Sequence, residues 1–201
     1  MSQGTVGRAI VRGATVILVV TVVARIAGFV RYLVFGASVG AGEVGTAYAS
    51  ANLVPNLLFE VAAGGALAAS VVPLVAGLMG PGASEDSRER AQRIMSALLG
   101  WTLLITVPLA VLVALAAQPL AVMILGAPGT GDEAITALGA RMLRIFALQL
   151  PLYGLSVVLA AYLQARKRFL WPAMMPLLSS LTVMVAYRVY AHLVQIGRAH
   201  V

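Results

Sequence analysis

An all-α integral membrane protein is the fold class predicted by this sequence of 201 residues, and three observations predict it. Hydrophobic residues make up 61% of the chain and charged residues 10%, against about 45–50% and about 25% in soluble domains. The apolar residues fall into long stretches, each near or above the roughly 20 residues that cross a bilayer as a helix. Stretches alternating with period two are missing, which disfavours a barrel. The same composition argues against a soluble enzyme, a secreted disulfide scaffold and a disordered tail. Cysteine is absent, so a disulfide framework and a thiolate metal site are ruled out. The formal charge of +7 could suggest nucleic acid, but the polar surface for such a partner is lacking. The basic residues are read instead as sorting topology and meeting anionic lipid or substrate.

Five spans are expected, at residues 14–36, 46–77, 94–118, 135–163 and 172–194. The first is interrupted only by Arg25 and Arg31. Its basic start and apolar run at 13–24 would also suit a cleaved signal peptide, but apolar character resumes after Arg25 and four more spans follow. Residues 37–45 are small and Gly-rich and read as a tight turn. The second span carries one charge, Glu60. Residues 80–93 are the most polar stretch, where Asp86 and Glu89 have the spacing of a capping box that starts the third helix near Ser87. Pro108 should kink that helix and Pro119 should end it. Residues 126–132 read as a turn. The fourth span would be about 44 Å long if straight, longer than the bilayer core. Its first turns, which carry Arg141 and Arg144, are expected among headgroups or in water. Residues 164–169 form a short basic connection, and Pro172 and Pro176 mark the first turns of the fifth span. The closing QIGRAHV (195–201) has no helical pattern and resembles translated vector sequence. The chain is therefore read as a fragment of a larger protein with a non-native tail.

Orientation follows from the basic residues. Arg8, Arg12, Arg88, Arg90, Arg93, Arg166, Lys167 and Arg168 all fall on one side of the five spans, while the opposite loops carry Glu43, Asp132 and Glu133. This places the amino terminus in the cytoplasm.

Arg25 and Arg31 are the most informative residues. An arginine at a helix centre costs about 2.5–3.5 kcal/mol on insertion scales, so two in one span invite a functional explanation. Six residues apart, they project about 120° from each other and differ in depth by about 9 Å. They could line one side of a cationic, water-accessible cavity that receives anionic groups. A structural salt bridge, or snorkelling of Arg31 to the interface, is the alternative. Glu60 falls at about the depth of Arg25 if the first two helices form a hairpin. It reads as an ion-pair partner of Arg25, or as a proton or cation coupling site. Asn52 and Asn56 lie one turn apart with Pro55 between them, and favour interhelical hydrogen bonding over ligand contact.

Several patterns are set aside. GAGEVG (40–45) matches a dinucleotide fingerprint but lacks any βαβ context. Gly36 and Gly40 match GxxxG, but at a helix end beside a turn. Gly64 and Gly65 would allow close packing or bending. A phosphate-loop lysine is ruled out because the only lysine is Lys167. His192 and His200 have no acidic neighbours, so no metal site is expected, and no cofactor.

The stretches ARIAGFVRYLVFGASVGAG (24–42), ANLVPNLLFEVAAGGALAASVVPLVAG (51–77) and QARKRFLWPAMMPLLSS (164–180) together resemble the MurJ (MviN) family of lipid II flippases, in an actinobacterial version. The likeness runs from residue 14 to 190 in order and spacing. It implies a lobe of the multidrug/oligosaccharidyl-lipid/polysaccharide exporter superfamily, which has about fourteen helices in two lobes around a central cavity and works by alternating access. This chain would supply about five of those helices and lack the carboxy-terminal lobe. The resemblance implies that Arg25 and Arg31 hold the diphosphate of the lipid-linked peptidoglycan precursor, that helices 1 and 2 line the cavity, and that the protein is not an enzyme. Many members have Asp where this chain has Tyr32, and Arg where it has Phe59 followed by Glu60. Two rivals follow from the residues: an exporter of another lipid-linked polysaccharide or of a drug, and a non-transporting scaffold of cell-wall assembly.

Overall fold

A computed structural model describes residues 3–40, 42–63, 78, 84–126 and 133–199. Among them every regular element is a helix: α1 (Gln3–Ser38), α2 (Glu43–Ala63), α3 (Glu85–Leu115), α4 (Ala117–Leu125), α5 (Glu133–Phe146), α6 (Gln149–Ala165) and α7 (Leu170–Ala199). Four stretches of the described residues are long and apolar enough to cross a membrane: Gly13–Ser38, Glu85–Leu115, Glu133–Ala165 and Leu170–Val194. They overlap the stretches 14–36, 94–118, 135–163 and 172–194 expected as the first, third, fourth and fifth spans, the third starting nine residues earlier. The second span is described only as α2. Its expected continuation over 64–77, with Gly64 and Gly65, lies outside the described residues.

The chain divides into two units. The first contains α1 and α7, which pack against each other. On α1 the less exposed positions include Val20, Ala24, Ala27, Arg31, Val34 and Ser38, the three-and-four spacing of one helical face. Phe35 of that helix meets Tyr187 of α7 with ring centroids 5.2 Å apart. Leu18, Phe29 and Leu33 are well exposed, as expected of a helix that faces lipid.

The second unit contains α2 to α6, and small side chains hold it together. One core joins Ala51, Ala110, Ala117, Ala121, Ala140 and Ala147 with Val113, Leu143 and Leu150. A second joins Ala91 and Met95 of α3 to Val158, Ala161 and Ala165 of α6. In lipid, apolar side chains gain little by leaving the solvent for a neighbouring helix. Close approach of backbones through alanine and glycine therefore supplies the packing.

Two prolines explain breaks that hydropathy does not show. The third helix stops at Leu115 and a new helix starts at Ala117. Pro119 has no N–H to give to Leu115, four residues back, and its ring crowds that carbonyl. The helix thus ends four residues before Pro119 rather than at it. A similar offset recurs where α5 ends at Phe146, five residues before Pro151, and α6 starts at Gln149. Leu150 N–H donates to Ala147 O at 3.1 Å across that turn. The fourth span is consequently two helices, not one straight rod. By contrast α3 runs on through Pro108.

Three further expectations are corrected. The cap of α3 is Ser84, not Asp86: its hydroxyl oxygen accepts from the Ser87 N–H at 3.3 Å, so the helix begins at Glu85. The charged residues 85–93 are thus the solvated start of the helix, which begins two residues before the expected Ser87. The tail is helical as far as Ala199, so a helical pattern is present where none was expected. The turn after α1 is shorter than 37–45, because α2 already starts at Glu43. Gly40, at φ 77°, ends α1 in the left-handed region, where its missing Cβ removes the steric cost. Lys167, at φ 59°, makes the corresponding reversal after α6 without that advantage, at a cost of about 1–2 kcal/mol.

Candidate functional site

The candidate residues fall into both units. Arg25 and Arg31 belong to the first, Asn52, Asn56 and Glu60 to the second, and each set is described on its own.

Within the first unit, Arg31 lies on the half-buried face of α1 that packs on α7, while Arg25 is exposed on another side. The 120° separation expected from a six-residue spacing is what divides them. The Arg31 guanidinium sits 5.4 Å from the centroid of the Tyr32 ring, within the range of a cation–π contact. Tyr32 thus gives this arginine an aromatic neighbour at the position where the resembled family often carries an acid. Among the described residues the one salt bridge is Glu89–Arg93. Arg25 and Arg31 therefore keep their charge uncompensated within the first unit, on a helix of membrane-spanning length. Such an arrangement suits an anionic, oxygen-rich group, which guanidinium donors grip in charge-assisted hydrogen bonds.

Within the second unit, Pro55 is fully buried on α2 and frees the carbonyl of Ala51 from its helical bond. Asn52 is half-buried; Asn56 and Glu60 are exposed. Asn56 reaches α6: the Tyr153 hydroxyl lies 2.9 Å from its Oδ1 and 3.1 Å from Gln149 Oε1. A hydroxyl has one proton, so one of the two amides must present its NH2 group to the tyrosine oxygen instead. Phe59 packs beside this cluster, its ring centroid 4.9 Å from that of Tyr153. Interhelical bonding is the role expected of the asparagines, and Asn56 takes it. Its partners Tyr153 and Gln149 are not among the expected site residues. Their signal is present in the sequence as two polar residues one turn apart around Pro151 in an otherwise uncharged run.

The Asn56–Tyr153–Gln149 cluster predicts a measurable loss. Tyr153→Phe should lower the stability of the full-length protein in detergent by about 0.5–1.5 kcal/mol, the usual range for an interhelical hydrogen bond. Unfolding curves for Tyr153→Phe, Asn56→Leu and the double variant check this. Fully additive losses would mean that the two groups are not coupled.

An apolar cavity of about 170 Å³ lies among α2, α3 and α6, lined by Phe59, Trp101, Thr102, Thr106, Leu150 and Gly154. Its polar atoms are spoken for in part: the Thr106 hydroxyl donates to Thr102 O at 2.7 Å. With no charged residue in its lining, this cavity has nothing to offer a phosphate.

Comparison with known proteins adds to this geometry. Residues 35–199 match the family model described as lipid II flippase MurJ. A protein of Synechocystis sp. named "Probable lipid II flippase MurJ" is 30% identical over 185 residues, covering 91% of this chain and 33% of the relative. One of Rhizobium tropici with the same name is 28% identical over 172 residues, covering 85% and 31%. The chain thus spans about a third of the length of these curated relatives. No solved structure matches it.

Proposed function

The chain belongs to the MurJ lipid II flippase family, and from that premise we propose that its full-length protein moves lipid II from the inner to the outer leaflet of a bacterial cytoplasmic membrane. The observation that carries the reading is the pair Arg25 and Arg31 on a membrane-length apolar helix, in a chain that matches this family over most of its length. A polyprenyl-diphosphate lipid presents two phosphates close together, and fixed guanidinium groups in a low-dielectric space are the side chains that suit them. The headgroup has to pass a bilayer that disfavours its charge, and cations at membrane depth lower that barrier. No covalent step is involved, so the work is differential binding on the two sides of the membrane. In the relatives, the two thirds of the length that this chain does not cover would correspond to the remaining helices.

The amino terminus is assigned to the cytoplasm. Arg88, Arg90 and Arg93 in the first turns of α3, and Arg166, Lys167 and Arg168 after α6, are exposed, and the five-span reading puts all of them on the side of the amino terminus, the distribution expected of cytoplasmic ends. The test is reconstitution of the full-length protein in liposomes with fluorescent lipid II in the inner leaflet. Transfer to the outer leaflet should rise well above that of protein-free vesicles. Equal rates in both would remove the transport reading and favour a scaffold. Impermeant thiol labelling of a cysteine placed at Arg90 in intact cells should fail under the proposed orientation.

A further inference from the structure

We propose that the seam where α3 begins and α6 ends is a binding surface for the phosphate headgroup of an anionic membrane lipid. The inference rests on membrane embedding and not on the transport reading. Ala91 and Met95 pack with Val158, Ala161 and Ala165 in one buried cluster. This brings the first turns of α3 beside the last turn of α6, although the two are some seventy residues apart in sequence. Both helices belong to stretches long and apolar enough to cross a membrane. The seam is therefore the end of a pair of spans, at the depth where headgroups lie.

The charges at this end are sorted by face. Arg88 stands one turn before Ala91 and so on the side of α3 that turns toward α6; Glu89 and Arg93 turn away. Those two occupy each other, with Arg93 Nη2 3.6 Å from Glu89 Oε2. Among the described residues that is the one ion pair, so Arg88 is not bridged to Glu85, the acid one turn before it on the helix. On α6 the counterpart is Arg166, the residue that caps the helix. Its guanidinium lies 4.7 Å from the ring centroid of Tyr162, and Tyr162 packs on the same buried cluster. The stacking holds Arg166 at the seam and leaves its edge donors available. Lys167 and Arg168 follow directly in the chain. Toward the middle of the spans the charge gives way to exposed apolar side chains, Leu159 on α6 and Leu103 on the Arg88 side of α3. Cations at the end of a helix pair with bare apolar surface beneath them complement an acidic phospholipid, whose phosphate and acyl chains have the same order. An acidic protein or a nucleic acid would use the cations and leave the apolar surface unmatched.

The test uses the full-length protein in nanodiscs of phosphatidylcholine with a minority of phosphatidylglycerol, and native mass spectrometry to count the lipids that stay bound on release. The wild type should retain phosphatidylglycerol in preference to phosphatidylcholine. Arg88→Gln with Arg166→Gln should weaken that retention by roughly five-fold per arginine removed, while Arg88→Lys with Arg166→Lys retains most of it. Arg93→Gln, on the far face, should leave it unchanged. Equal retention by the wild type and the glutamine pair overturns the proposal, and so does displacement of the lipid by millimolar inorganic phosphate, which would mark a site for a free anion. Lipid II transfer measured on the same variants separates the two readings, since loss of the headgroup preference with transfer intact leaves the transport function standing.

Discussion

Replacing Arg25 or Arg31 with alanine in the full-length protein should leave folding intact and cripple transport. Each arginine sits within an apolar helix whose other side chains suit lipid, and insertion of each costs about 2.5–3.5 kcal/mol. Alanine removes that cost, so neither variant should lose stability, and one that gains some would be unsurprising. Hydrogen bonds to a charged group contribute about 1.5–3 kcal/mol, so each substitution should weaken lipid II transfer by about 10- to 100-fold and the pair should abolish it. Lysine at either place keeps the charge but not the forked donors, and should restore only part of the rate. Transfer rates and thermal unfolding of the same preparations check both halves. Wild-type transfer by both alanine variants would end the diphosphate role. A marked loss of stability would instead point to arginines that hold helices together.

The second large effect concerns the contact between α3 and α6 at Gly154. Gly154 lies on α6, and a Cβ built there would stand 2.5 Å from Thr102 Cγ2 and 3.3 Å from Thr106 Cγ2 on α3. Both obstacles are branched side chains on a packed helix, with little room to turn. Gly154→Ala should therefore cost about 1–3 kcal/mol, the usual range for overpacking, and Gly154→Leu should prevent the two helices from closing at all. The leucine variant is expected to give little monodisperse protein in detergent. Thr102→Ser removes the methyl group in the way and should recover most of the loss in Gly154→Ala. If the double variant is no more stable than the alanine variant alone, the contact with Thr102 is not what makes glycine necessary.

Hydropathy made four of the spans legible, because a bilayer imposes length and composition at once. The ends and interruptions were harder to read. A charged stretch such as 85–93 continues a helix into water, so hydropathy marks where the span begins and only the capping spacing marks where the helix does. Pro119 and Pro151 break their helices four and five residues upstream, around where the lost hydrogen bond would have ended, so the visible proline is displaced from the visible break. Arg25 and Arg31 stood out because charge in a span is costly. Tyr153 and Gln149 did not, because a tyrosine or glutamine in a span is tolerated and only its partner across the helix pair gives it a role.

The first unit is made of the first and the last helix described, and this has a consequence for biogenesis. When α1 leaves the ribosome, its packing partner α7 is still about 130 residues from being made. At bacterial translation speeds that is on the order of 10 s. For that interval the helix carrying Arg25 and Arg31 must be held at the translocon, or by insertion factors, with its cations facing something other than hydrocarbon. Positive flanking charge at Arg8 and Arg12 helps to fix its direction early, before any tertiary contact exists to correct an error. Translation rate and insertase supply should accordingly govern how much of this protein reaches its folded state.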